Sequence, residues 1–109
     1  MTLNEYQQAA QKTAIYPGKG ENLYYPALGL AGEAGEVADK IKKIMRDKGG
    51  IISLMDKHDI ALELGDVLWY VSEIAFEIGV PLEEVAIGNI HKLESRQDRG
   101  VLGGSGDNR

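Results

Sequence analysis

Leu3, Tyr6, Ala10 and Ala14 recur at helical spacing near the start of the chain. Thr2 precedes Glu5 by the three residues of a capping box, so a first helix is expected from Leu3 to about Ala14. Tyr16-Pro17-Gly18-Lys19-Gly20 ends it. A long second helix is expected from near Asn22 to Gly49-Gly50, with Pro26 tolerated in or near its first turn. Its apolar positions are Leu23, Ala27, Leu30, Ala34, Val37, Ala38, Ile41, Ile44 and Met45. A third helix, capped by Asp56 and running to Gly79, carries a stripe of Ile60, Leu64, Val67, Val71, Ala75 and Ile78. Pro81 suits the first position of a fourth, which extends to about Asp98. No stretch of useful length alternates with the period of a strand. The expected class is all-α, most simply a four-helix bundle. Residues 1–100 read as one domain, and 101–109 as a Gly-rich C-terminal tail with no regular element.

Two acidic pairs interrupt the apolar pattern. Glu33 and Glu36 lie in GLAGEAGEVADKIKK, and Glu63 and Asp66 in ALELGDVLWYV. Their i,i+3 spacing puts each pair on one helix face. With Leu23 at zero, the second helix's stripe centres near about 10°, Glu33 at about 280° and Glu36 at about 220°. With Ile60 at zero, the third stripe centres near about 20°, Glu63 at about 300° and Asp66 at about 240°. Both pairs therefore sit off the same edge of their stripes. The short connector at Gly49-Gly50 favours antiparallel packing. A perpendicular two-fold relates such helices, so the two edges meet, with Glu33 level with Asp66 and Glu36 with Glu63.

Four carboxylates at one height repel one another. Lys40 and Lys43 are placed to neutralise Glu36 and Asp39 at i,i+4. No Lys or Arg between Asp59 and Ile90 does the same for Glu63 and Asp66. An all-oxygen donor set of this kind suits a hard divalent cation such as magnesium or manganese. A di-iron bundle site would use Glu-x-x-His. Met55 and Gly88 stand three before His58 and His91, so that pattern is absent.

At 109 residues the chain is one domain, small enough that an oligomer adding buried area is expected. The formal net charge of −5 argues against a general nucleic-acid binder. It does not argue against a nucleotide, because a bound cation reverses the local field. With no cysteine, disulfides, thiolate metal sites and cysteine nucleophiles are excluded. No apolar run approaches the ~20 residues of a membrane span, and MTLNEYQQAAQ lacks the pattern of a signal peptide. A cytoplasmic location is the expectation.

These residues resemble the all-α nucleotide pyrophosphohydrolases of the MazG-like family. That family's E-x-x-E and E-x-x-D elements match Glu33-Ala-Gly-Glu36 and Glu63-Leu-Gly-Asp66. The stretch from Asn89 through Lys92 to Arg96, and Arg99-Gly100 after it, also look like the family's. The likeness covers roughly residues 20 to 100. Many members carry a further Glu where Gly32 stands here, which leaves the number of metals open. The resemblance implies magnesium-dependent hydrolysis of a nucleoside triphosphate between its α and β phosphates, with manganese as a possible substitute. Glu33, Glu36, Glu63 and Asp66 would be ligands and catalytic groups, with Glu36 a candidate proton acceptor. Lys92 and Arg96, i,i+4 on the fourth helix, would hold the pyrophosphate, followed by Lys43 and Arg99. A homodimer or homotetramer is expected, with a nucleoside triphosphate as substrate and neither nucleic acid nor membrane as partner.

Leu62, Trp69 and Phe76, seven apart, form a second apolar face on the third helix. A core or dimer contact is the favoured reading, and stacking of Trp69 on a nucleobase the alternative. Tyr70, at about 280° on the acidic edge, can line the site. The tail lacks the lysine and spacing of a P-loop. Ser105, Asp107 and Arg109 are candidates to fold over a substrate, because the run RGVLGGSGDNR resembles the endings of some phage-type relatives. The competing function is a non-catalytic helical binding or regulatory module with a structural cation site.

Overall fold

The computed structural model describes residues 1–109 and contains four helices and no strand. They are α1 (Leu3–Gln11), α2 (Tyr24–Lys48), α3 (Leu54–Glu77) and α4 (Leu82–Asp98). The expected all-α class and the order of the elements are present. Thr2 and Glu5 make the reciprocal capping box that the spacing indicated. α1 stops three residues short of Ala14, because the chain turns there to bury Ala14 and Tyr16. The cap of α3 is Ser53 instead of Asp56. Asp56 sits three residues on, and its carboxylate accepts from the Ser53 N–H at 3.0 Å. Pro81 is the N-cap of α4, one position before the expected place. α2 begins at Tyr24, and the Asn22 side chain caps it by accepting from the Tyr25 N–H.

α2 and α3 form a long antiparallel hairpin, with Gly49 at φ 60° and Gly50 at φ 81° in the turn, where L side chains are strained. Lys48 closes it through a 2.7 Å ion pair to Asp56. That pair and the Ser53 bonds bring the Asp56 carboxyl down to about 2. The Lys42 and Lys43 ammoniums beside Asp39 bring that group down to about 2 as well. A carboxyl depressed in the folded state adds stability above its unfolded value, and this is lost as pH falls through the folded value. The Tm advantage of wild type over Asp56→Asn should therefore shrink between about pH 4 and pH 2. A difference in Tm that stays constant from pH 6 to pH 2 would contradict this.

α1 packs on α3, and α4 packs on α1 and α3. Neither α1 nor α4 packs against α2. The Asn4 and Gln7 amides tie α1 to the start of α4, accepting from the Glu83 and Leu82 N–H groups at 3.0 Å each. The hairpin thus projects beyond the rest of the chain. The radius of gyration is 16.8 Å, against about 13 Å for a compact domain of this length. Surface area is 7616 Å², roughly 1,600 Å² more than expected of a compact 11.9 kDa monomer. The excess has an apolar component. Leu28 and Met45 on α2, Leu64 on α3 and Ile87 and Ile90 on α4 are all exposed. Six of the nine positions of the expected α2 stripe, Leu23, Ala27, Ala34, Ala38, Ile41 and Met45, face solvent. The seam against α3 keeps Leu30, Val37 and Ile44 of that stripe and adds Pro26, Glu33 and Lys40, all of them buried or half-buried. No helix is long and apolar enough to cross a membrane.

Candidate active site

Glu33 and Glu63 lie inside this seam, each between apolar residues of its own helix, instead of at the edge of a solvated face. Asp66 approaches from the exposed side. One carboxylate oxygen from each of Glu33, Glu63 and Asp66 falls within a 4.8 Å cluster. Glu36, one turn further along α2, is exposed and outside the cluster. Partial burial, followed by the charges of Asp66, Glu63 and Glu36, raises the Glu33 carboxyl above its ordinary value. The only ion-pair partner among the three is Glu63, met by Lys40 at 3.5 Å. Lys40 therefore crosses to α3 instead of neutralising Glu36. Lys43 does pair with Asp39, at 2.8 Å. One loosely held ammonium among three carboxylates leaves net negative charge in the seam. Three convergent oxygen donors with no nitrogen or sulfur fit a hard divalent cation.

One turn beyond the carboxylates is an aromatic wall. A pocket of about 290 Å³ is lined by Thr13, Glu33, Asp66, Trp69 and Tyr70. Trp69 donates its indole N–H to the Thr13 hydroxyl at 2.8 Å, and that hydroxyl donates to the Ala10 carbonyl at 2.7 Å. The Trp69 ring meets Tyr70 edge-on with centroids 5.0 Å apart. Burial, followed by Tyr25 and Glu33, raises the Tyr70 phenol. Burial and the charge of Asp66 raise that of Tyr6 on α1. Tyr70 lies across Gly29 of α2, where an added Cβ would fall 2.1 Å from a ring carbon.

The connector between α1 and α2 is fastened to α3 by a polar clasp. Tyr16 is buried, stacks on Tyr25, and donates its hydroxyl to Glu77. Glu77 also accepts from the Gly20 N–H at 2.9 Å and the Asn22 N–H at 3.3 Å. Glu73, fully buried, accepts from the Gln11 amide, with its Oε2 3.3 Å from the Tyr16 hydroxyl oxygen. Phe76 is half-buried and Leu62 is 60% exposed, so the second apolar face of α3 is covered only toward its C-terminal end.

The cations on α4 lie elsewhere. Arg96 is buried and donates to the Asp107 carbonyl at 2.7 Å, while Arg99 donates to Ser95 Oγ and to the Arg109 carbonyl. Arg109 donates to the carbonyls of Val101, Leu102 and Gly106, closing the tail on itself in turns. Lys92 is exposed and has no ion-pair partner. Thr13, Gly29 and the crossing of Lys40 were missed by sequence reasoning. Only Lys40 left a signal, being seven residues from Glu33 and so on the same face.

Comparison with known proteins gives the same outline. The MazG nucleotide pyrophosphohydrolase domain family matches residues 25–101. The Gene 37 protein of Mycobacterium phage L5 is 53% identical over 114 aligned positions that span the whole of both chains. No solved structure matches the chain.

Proposed function

Because the chain belongs to the MazG nucleotide pyrophosphohydrolase family, a family of phosphoanhydride hydrolases, we propose that it cleaves nucleoside triphosphates between the α and β phosphates. The products are a nucleoside monophosphate and pyrophosphate, and the role is to limit particular nucleotides in the pool. The observation that carries this reading is the convergence of Glu33, Glu63 and Asp66 in a seam with too little positive charge to hold them. These three would hold magnesium, or manganese in its place. When bound, the cation neutralises phosphate oxygens, polarises phosphorus and acidifies a nearby water. Glu36, exposed one turn along, is free to complete the ligand set or to accept the proton of the attacking water. The Trp69–Tyr70 wall shields one side of the cleft and offers aromatic surface to the base. Lys43, Lys92, Arg96 and Arg99 are the candidate phosphate contacts. The tail must release Arg96 and Arg99 before their guanidiniums can reach substrate.

The incomplete burial supports a homo-oligomer. An excess of roughly 1,600 Å² per protomer matches an obligate interface better than a transient one. A second hairpin laid on Leu28, Ala38 and Met45 would make a four-helix core from two copies, and a homotetramer would pair such dimers.

A panel of nucleotides with magnesium, followed for pyrophosphate and monophosphate, tests the activity. Expected is pyrophosphate release that stops on chelation of the metal and returns when it is restored. Silence across the panel from a folded protein would favour a binding or regulatory module. Orthophosphate in place of pyrophosphate would indicate a different phosphoanhydride substrate.

A further inference from the structure

The site has two unlike ends, and the direction from one to the other is the same on both helices. Trp69 and Tyr70 follow Asp66 by one turn of α3, and Gly29 precedes Glu33 by one turn of the antiparallel α2, so both lead to the aromatic wall. In the opposite direction, past the exposed Glu36, the first cation met is Lys40, on Glu63 at 3.5 Å. Lys43 and Lys48 lie beyond it, but each is held at 2.7 to 2.8 Å by its own aspartate, Asp39 or Asp56. Lys40 has the longest pairing of the chain's ion pairs. Its partner is a member of the carboxylate cluster. Once Glu63 is engaged as a ligand, the Lys40 ammonium is the nearest donor available to a phosphate oxygen.

At the other end the polar atoms of Trp69 and Thr13 are already satisfied. The indole N–H is given to Thr13, whose own proton goes to Ala10. Trp69 therefore presents its ring in a fixed setting, and neither group is free to read the edge of a base. Such a wall holds a base by stacking and shape, which tolerates different bases.

Resting on the hydrolytic reading above, we propose that the cleft takes its nucleotide in one orientation, with the base against the Trp69–Tyr70 wall and the terminal phosphates over Lys40. Thr13 is a positioning residue that acts through Trp69.

The two products separate the ends. Nucleoside monophosphates and inorganic pyrophosphate, each with magnesium, are titrated into the full-length protein by calorimetry and by fluorescence. Trp69 is the single tryptophan, so emission reports this wall alone. Monophosphates should quench Trp69 and pyrophosphate should not. Lys40→Gln should weaken pyrophosphate by about tenfold and leave monophosphates unchanged, as loss of one charge-assisted hydrogen bond requires. Thr13→Val should shift the emission of the free protein and weaken monophosphates alone, and Thr13→Ser should restore both. Equal quenching by the two products, or the reverse pattern in the variants, would overturn the orientation. Should Thr13→Val fail to fold, the wild-type quenching still decides. An oriented binder that hydrolyses nothing would leave this proposal standing and remove the activity, whereas rapid hydrolysis with no Trp69 response would do the opposite.

Discussion

Asp66→Asn should lower pyrophosphate release by about three orders of magnitude, roughly 4 kcal/mol of transition-state stabilisation, without unfolding the protein. The substitution keeps the shape and removes one charge from a cluster whose oxygens lie within 4.8 Å. Activity and stability should move in opposite directions. In the cation-free protein, Glu33, Glu63 and Asp66 repel, which is one reason the Glu33 carboxyl is raised. A carboxyl raised by folding favours the folded state below its unfolded value, and that advantage is lost as pH rises through the folded one. At neutral pH without metal, Glu33→Gln and Asp66→Asn should therefore melt no lower than wild type. Magnesium should raise the wild-type Tm and do much less for either variant, because a ligand stabilises only the state that binds it. A variant with full turnover, or one that loses stability and activity together, would argue against a catalytic cation held by these residues.

Gly29→Ala is expected to destabilise, although helix propensity alone predicts the contrary. Exchanging Gly for Ala inside a helix ordinarily gains about 1 kcal/mol. At this position the new Cβ would lie 2.1 Å from Cε1 and 2.4 Å from Cζ of Tyr70. The ring is confined edge-on by Trp69, so it cannot swing away freely. Overpacking of this kind costs about 1 to 3 kcal/mol, and roughly 4 to 8 °C of Tm per kcal/mol in a domain of this size. Gly32 and Gly35, on the same helix, have nothing within 4 Å of an added Cβ. Gly32→Ala and Gly35→Ala should each raise Tm, so three chemically identical substitutions should give two signs. Tyr70→Leu should rescue Gly29→Ala. If all three alanines stabilise equally, the close approach of Tyr70 to α2 is wrong.

Much of the site was legible because its signals are local. The acidic pairs repeat at a spacing that places two carboxylates on one face, and Gly49-Gly50 sets the helices antiparallel. The pairing of Glu33 with Asp66 follows from that register. The stripes were read less well. Ala34, Ala38, Ile41 and Met45 were assigned to the same buried face as Ile44, but one partner helix cannot cover so broad an arc. In the single chain, α2 turns Glu33 and Lys40 toward α3 beside Val37 and Ile44. That rotation carries Glu33 into the seam, whereas Glu36, about 60° further round the helix, stays exposed.

The arginines of α4 show the same limit. Their i,i+4 spacing shows that Lys92 and Arg96 share a face, but not that Arg96 lies beneath Asp107. Nor does a three-residue cap signal distinguish Ser53 from Asp56 until both halves of the box are seen to close.

Sequence alone determined four helices, their order, the hairpin and the carboxylates at its centre, because periodicity, caps and a tight turn act over a few residues. Tertiary structure decided which three carboxylates converge, that Lys40 reaches across to Glu63, that Tyr70 lies on Gly29, and that Thr13 holds Trp69. Those outcomes depend on the rotation of each helix about its axis and on the distance between axes. Both are set by side chains far apart in the chain packing against one another, which no local pattern encodes.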